Sequence, residues 1–289
     1  MRIPESELII NADGSAFHIH IRPGQLADNV ILVGDPGRVA MVKSYFSDIE
    51  AEGASREFFW ATGHYNGKRI TVLSTGIGTD NIDIVMTELD ALANIDFETR
   101  EVRPEHRSLD ILRIGTCGAI QPEIPLGAFI LSHISVGCDG LLNWYDNRDS
   151  IALPDFEEAF KKHVHWDRHL PDPYFVRASR KIIDKFADCT VKGMTISASG
   201  FYGPQGRVVR QGLSMPNMLE DFESFEFGGY KITNFEMESS ALAGMSAKLG
   251  DNAATVCCAI AHRYLKDANT DYKPRVAELV QLALDRMTA

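Results

Sequence analysis

Apolar, β-branched runs that each end in a glycine-containing turn recur along this chain, and that repetition leaves few architectures open. Asn29-Val-Ile-Leu-Val33 leads into Gly34-Asp-Pro-Gly-Arg38, Lys68-Arg-Ile-Thr-Val-Leu-Ser74 into Thr75-Gly-Ile-Gly78, and Leu109-Asp-Ile-Leu-Arg113 into Gly115-Thr-Cys-Gly118. Further strands are expected over residues 127–136, 190–197, 232–235 and 253–261. Their apolar character is continuous rather than alternating, as in a sheet buried on both faces. Helices fall between them. Ile82, Val85, Met86, Leu89 and Leu92 recur at helical spacing after Thr79-Asp-Asn81, which can supply an N-cap. Residues 238–249 read as a second helix that stops at Gly250, and Pro274 opens a third with Val276, Leu279, Val280, Ala283, Leu284 and Met287 on one face. Residues 175–186 also read as helical. The alternation predicts an α/β protein of three layers, α/β/α, around a large central mixed sheet.

At 289 residues and 45% hydrophobic content the chain can bury one large core, so residues 1–289 are read as a single domain. Two stretches interrupt the alternation: the polar segment 97–108 and the mixed segment 143–173, which holds a helical piece over 155–163. Neither has the low complexity of a linker, and both read as insertions. No run of eighteen apolar residues suggests a membrane span, and Met-Arg-Ile-Pro-Glu-Ser-Glu at the start lacks a signal-peptide core. Five cysteines without C-x-x-C spacing argue against a disulfide framework or a zinc site and fit a reducing cytoplasm. Lys+Arg at 29 against Asp+Glu at 40 gives a net charge of −11, which disfavours nucleic acid as a partner. Any anion site must then be built locally, from a few arginines and backbone amides.

Several residues are candidates for such a site. Gly34-Asp-Pro-Gly-Arg38 follows a strand and precedes a helix, so its N–H groups and Arg38 can meet an anion; it reads equally as a plain turn with a solvated arginine. Arg113 interrupts an apolar strand, where an unpaired charge is costly, and Thr116 adds a hydroxyl nearby. Arg56 is the weaker candidate, equally a surface partner for Glu57. Glu236-Met-Glu238 sits where a strand meets a helix, at the edge where open α/β sheets bind ligands. Its carboxylates can accept from vicinal sugar hydroxyls, or simply favour a helix N-terminus. His18 and His20 alternate in Phe17-His-Ile-His-Ile21, which as a strand would turn one inward and the other outward; either alone reads first as an ordinary structural histidine. Phe201-Tyr-Gly-Pro-Gln205-Gly-Arg207 places an aromatic ring, a carboxamide and a guanidinium within seven residues, a donor and acceptor set that can match the N–C=O edges of a pyrimidine; taken alone, its Gly-Pro punctuation reads first as a plain turn.

Together these stretches resemble the nucleoside phosphorylase-I family, closest to its uridine branch. The matching segments are Gly34–Arg38, Ser55-Arg-Glu-Phe58, Ser74–Gly78, Arg113-Ile-Gly-Thr-Cys-Gly-Ala-Ile-Gln121, Phe201–Arg207 and Asn234-Phe-Glu-Met-Glu-Ser239, in the family order over about residues 18–263. The Gln-x-Arg pair is particular to the uridine branch. The resemblance implies a phosphate site from Gly34, Arg38, Arg113 and Thr116, with Arg56 reaching in from a neighbouring subunit. It implies ribose contacts from Thr116, Glu236, Met237 and Glu238, with His18 supplied by the neighbour. The base would lie against Phe201, held by Gln205 and Arg207 and lined by Cys117, Gly118 and Arg263. It also implies a homo-oligomer, dimer or hexamer, whose dimer is the active unit. Arg113, Glu238, Arg207 and His18 would carry the chemistry. No metal or organic cofactor is expected, inorganic phosphate being the co-substrate. Three departures stand out: Ser199-Gly200 before Phe201 where Asp-Thr is usual, Cys117 where threonine is common, and His262 where asparagine is frequent. A purine-specific relative would carry an aspartate near the last strand, and residues 259–263 hold none. The phosphate arginines and the complete ribose set argue against a hydrolase and against a silent nucleoside-binding paralogue.

Overall fold

Each of the apolar runs becomes a strand in the computed structural model, which describes residues 2–289. In chain order the strands are β1 (Asn29–Val33), β2 (Asp48–Ser55), β3 (Phe58–Tyr65), β4 (Lys68–Ser74), β5 (Ile95–Asp96), β6 (Glu101–Val102), β7 (Asp110–Ala119), β8 (Phe129–Gly137), β9 (Tyr174–Arg177), β10 (Val191–Ser197), β11 (Glu226–Phe227), β12 (Tyr230–Glu236), β13 (Asn252–His262) and β14 (Asp267–Ala268). The helices are α1 (Pro36–Lys43), α2 (Thr79–Asn94), α3 (Pro154–His163), α4 (Arg180–Phe186), α5 (Met218–Ser224), α6 (Ser239–Leu249) and α7 (Lys273–Thr288).

β1 shows why the apolar runs are continuous. It lies between β4 and β7, parallel to both. Ile31 and Val33 face one core with α1, α4 and α7, while Val30 and Leu32 face another with α2 and α6. Both strand faces are therefore covered, and the layers are α/β/α around a mixed sheet, as expected from the sequence. The sheet runs β11-β12-β10-β8-β13-β7-β1-β4-β3-β2. It is also partly closed: β12 pairs antiparallel with β7 through Asn234–Ala119 and Phe235–Gly118, so β7, β13, β8, β10 and β12 form a ring. The ends of β7, β10, β12 and β13 converge on one rim of that ring.

Some local expectations need correction. Gly115-Thr-Cys-Gly118 is not a turn: β7 continues to Ala119, paired with β13 through Gly115–Cys257 and Cys117–Ala259. The glycines there serve close approach, since a Cβ on Gly115 would meet Arg113 Nη1 at 2.5 Å and Cys257 Sγ at 2.7 Å. Residues 175–186 are not one helix. Tyr174–Arg177 joins β8 antiparallel and only Arg180–Phe186 is helical, because aromatic and β-branched side chains fill a buried sheet position there. Phe17–Ile19 is a turn and His20 and Ile21 belong to no strand, His20 having φ 53°. Helix α2 is capped by Gly78, at φ 102°, without a side-chain cap from Thr79-Asp-Asn81. The β2–β3 hairpin was hidden by the polar, largely exposed residues of β2. Segment 143–173 is tied to the fold by Phe156, Phe160 and Val164, which bury against Phe175, Phe222 and Phe225.

Candidate active site

Arg113 is the anchor of the site. It enters from the middle of β7 and is only 4% exposed, so its charge must be balanced nearby. Two carboxylates supply that balance: Arg113 Nη1 donates to Glu236 at 3.2 Å and Nη2 donates to Glu238. The coulombic pull of Glu238 and Glu236 outweighs burial and raises the pKa of Arg113. Glu238 in turn accepts the N–H of Gly78 at 2.9 Å, tying α6 to the start of α2. Burial of Glu238 raises its pKa, and the Arg113 charge opposes that rise.

Arg38 stands in the first turn of α1, where Asp35 caps the helix by accepting the Gly37 N–H at 2.8 Å. Its pKa is lowered by burial first and then by Arg113. Two guanidinium groups in mutual repulsion next to a helix N-terminus describe a place for an anion. On the loop after β10, Arg207 Nη1 donates to Gln205 Oε1 and to the Phe201 carbonyl, both at 2.6 Å. The Arg207 guanidinium also lies 3.7 Å from the Phe201 ring centre. Burial, with Arg263 nearby, pushes the Arg207 pKa down to about 10, still protonated at neutral pH. Arg263 braces this loop, donating from Nη2 to the Gln205 carbonyl at 3.1 Å. Its stem lies on Gly118, where a Cβ would meet Arg263 Cγ and Cδ at 2.8 Å.

These groups line one cleft of about 530 Å³. Of the residues singled out in the sequence, Gly34, Arg38, Arg113, Thr116, Cys117, Gly118, Phe201, Gln205, Arg207, Glu236, Met237 and Glu238 all face it. Arg263 touches it through Gln205. His18 and Arg56 do not line the cleft of their own chain: Arg56 is exposed in the β2–β3 turn, and His18 pairs with Glu88 of α2. Glu236 faces the cleft, yet its carboxylate is occupied by protein donors: Ser197 Oγ at 2.6 Å, the Glu238 N–H at 2.9 Å, the Ser239 N–H and Arg113. The lining also includes Asp35, Pro36, Gly76, Ile77, Phe235, Ile260 and Ala261, which sequence reasoning passed over. Asp35 and Gly76 belonged to turns already marked, while Phe235, Ile260 and Ala261 looked like ordinary strand residues. Glu88 did carry a signal, a carboxylate on the buried stripe of α2.

With this geometry established, the chain can be set beside known proteins. The sequence profile of the family described as Phosphorylase superfamily matches residues 28–289. The chain belongs to this superfamily. Its matched relatives are nucleoside phosphorylases, which are pentosyltransferases. A uridine phosphorylase of Thermococcus kodakarensis is 29% identical over 254 residues, covering 87% of this chain and 79% of the relative. A DeoD-type purine nucleoside phosphorylase of Bacillus thuringiensis is 26% identical over 280 residues, covering 93% of this chain and 97% of the relative. Among solved structures, a Trypanosoma brucei nucleoside phosphorylase described as showing uridine phosphorylase activity superposes with a TM-score of 0.86 at 30% identity, covering 97% of this chain and 99% of the other.

No helix among the described residues is long and apolar enough to cross a membrane. His262, the departure near the base loop, has both ring nitrogens engaged. Nε2 faces the Gln121 carbonyl at 2.9 Å and Nδ1 accepts the Leu265 N–H at 3.1 Å, which assigns the neutral Nε2–H tautomer.

Proposed function

We propose that this chain is a uridine phosphorylase, transferring the pentosyl group of uridine to inorganic phosphate to give uracil and ribose 1-phosphate, reversibly, in pyrimidine salvage. The observation that carries this reading is the Gln205–Arg207 pair, 2.6 Å apart, with Arg207 set against the Phe201 ring in the cleft that Arg38 and Arg113 also line. Uracil presents O2, N3–H and O4. Gln205 Oε1 keeps a lone pair for N3–H and its amide donates to a carbonyl, while Arg207 donates to O4. Gly34, Arg38, Arg113 and Thr116 would seat the phosphate. Thr116, Met237 and Glu238 would orient the sugar.

Phosphate oxygen attacks C1′ as the glycosidic bond breaks, and that electron pair leaves on the base. Holding nucleophile and anomeric carbon together is positioning catalysis. Donors on the pyrimidine carbonyls stabilise the charge that develops there. No covalent enzyme intermediate is involved, and phosphate is the sole co-substrate. His18 and Arg56 would complete the cleft of a neighbouring copy, making the dimer the active unit.

The base end of the cleft, formed by Phe201, Gln205, Arg207, Ile260 and Ala261, offers no carboxylic acid to protonate a purine N7, and His262 has no free nitrogen for the task. This favours a pyrimidine over the purine bases of the DeoD-type relatives. The test is a turnover assay with uridine, thymidine and inosine, with and without phosphate. Phosphate-dependent release of uracil is expected; faster phosphorolysis of inosine would overturn the proposal in favour of a purine enzyme.

A further inference from the structure

Outside the cleft, a chain of hydrogen-bonded polar groups runs from the half-buried Asp139 to Arg113. Asp139, just after β8, accepts from Ser240 Oγ at 2.8 Å and from Tyr174 Oη at 2.9 Å. The Ser240 backbone N–H donates to Ser197 Oγ at 2.8 Å, and Ser197 Oγ donates to Glu236 Oε1 at 2.6 Å. Glu236 then holds Arg113 Nη1 at 3.2 Å. Ser197 and Ser240 are completely buried, and neither lines the cleft.

The register of the sheet makes this link. Between Met194 and Thr195 the β10–β12 pairing slips by one residue, which sets Ser197 directly opposite Glu236. The slip needs Gly193, because a Cβ there would meet Thr233 Oγ1 at 1.9 Å. A bulge beside an active site commonly re-aims a side chain. Here it brings a hydroxyl under a carboxylate that the α6 N-terminus already holds through the Glu238 and Ser239 N–H groups.

We infer that Ser197 is a positioning residue for phosphate: acting through Glu236, it fixes the direction in which Arg113 presents its guanidinium to the cleft. The inference rests on the phosphorylase reading of the site but not on the choice of base. With Ser197 Oγ and the Ser239 N–H on Oε1, and the Arg113, Glu238 and Ser239 donors on Oε2, Glu236 has no lone pair left for a sugar hydroxyl. Its part is to bracket Arg113, and the ribose falls to Glu238 and its neighbours. Without the Ser197 hydroxyl one buried lone pair of Glu236 goes unmatched, the carboxylate re-seats, and the arginine turns with it.

The test is a double-mutant cycle of Ser197→Ala and Glu236→Gln, read as the separate KM values for phosphate and nucleoside. Ser197→Ala is expected to raise the phosphate KM roughly tenfold, the scale of one charge-assisted hydrogen bond, with the nucleoside KM changed less than about twofold. Ser197→Thr, which keeps the hydroxyl, should restore it. In the Glu236→Gln background Ser197→Ala should add little, because coupled residues are not additive. Equal effects on both KM values, or full additivity with Glu236→Gln, would overturn the inference. Where Ser197→Ala fails to fold, Ser197→Cys keeps the volume with a weaker donor and must show the same split. The nucleoside is whichever the parent enzyme turns over, so inosine phosphorolysis would sink the uridine reading and leave this test intact. If neither is turned over, calorimetric titration with inorganic phosphate gives the same comparison.

Discussion

Glu88 Oε1 lies 2.5 Å from His18 Nδ1, and the same carboxylate accepts the backbone N–H groups of His18 and Ile19 at 3.0 Å. One buried side chain on α2 therefore fixes both the turn and the ring that projects from it. His18 does not line the cleft of its own chain, so the ribose contact proposed for it, to the 5′-hydroxyl, would be made across a dimer.

That arrangement predicts complementation. His18→Ala and Glu238→Ala chains should each be nearly inactive, yet mixing them should recover activity, because some shared sites then carry neither change. Glu88→Gln should lower kcat/KM for uridine roughly tenfold by loosening His18, a hydrogen bond to a charged group being worth about 1.5–3 kcal/mol. With 5′-deoxyuridine, which lacks the hydroxyl, the Glu88→Gln and His18→Ala effects should vanish. Full activity from a monomer in solution would rule out the shared site.

Arg113→Ala should reduce phosphorolysis by several orders of magnitude, since it removes charge-assisted contacts to phosphate together with the positioning they provide. It should also cost stability on the order of 3–5 kcal/mol, because Glu236 and Glu238 would be left buried without their counter-charge. Arg113→Lys separates the two effects: the charge stays, the melting temperature should largely recover, and turnover should remain low because an ammonium cannot span both carboxylates. Near-parent turnover at saturating phosphate would make Arg113 structural and shift the catalytic role to Arg38.

Much of this was legible in the sequence for a physical reason. Continuous apolar runs such as Asn29–Val33 have one explanation, burial on both faces, and a charge such as Arg113 inside one of them demands partners. Three features were not legible. The glycines of β7 look like turn residues, because close approach to Cys257 and to the Arg263 stem leaves no local mark. Tyr174–Arg177 is short enough that its strand character comes only from β8 beside it. The bracket behind Arg113 depends on a register slip between β10 and β12, a property of two segments that neither one encodes alone.

Asp251 offers a pH-dependent test of stability. It sits between α6 and β13, 7% exposed; Oδ1 accepts the Leu109 N–H at 2.8 Å while Oδ2 has no partner. Burial, with Asp90 adding to it, pushes its pKa from 3.8 up to about 6. A raised carboxyl pKa means that stability is fully present below the unfolded value and is lost as pH rises through the folded one. Asp251→Asn should therefore leave the melting temperature unchanged near about pH 4 and raise it by a few degrees near about pH 7, for a gain of roughly 1–2 kcal/mol. Equal melting temperatures at both pH values would show that Asp251 ionises freely in the folded protein.

Base choice is the sharpest test of the Gln205–Arg207 pair. Cytosine places an amine where uracil has O4 and carries no hydrogen on N3, so Arg207 would face a donor and the second lone pair of Gln205 Oε1 would lose the N3–H donor. Gln205 is 3% exposed, and a buried polar group left unpaired in this way allows a site to reject an analogue by roughly 10⁴-fold. The parent enzyme should show a uridine-over-cytidine ratio of kcat/KM of that order. Gln205→Ala and Arg207→Ala should each lower uridine turnover by about 10²-fold or more, and should collapse the ratio by destroying the preferred substrate's contacts rather than by creating contacts to cytidine. Arg207→Lys should recover part of the turnover, because an ammonium still donates to O4, but it loses the planar stacking on the Phe201 ring, 3.7 Å from the guanidinium carbon. Steady-state kinetics on both nucleosides at saturating phosphate read all of these. If both alanine variants keep the parent ratio, the loop is only a turn and selectivity lies elsewhere in the cleft.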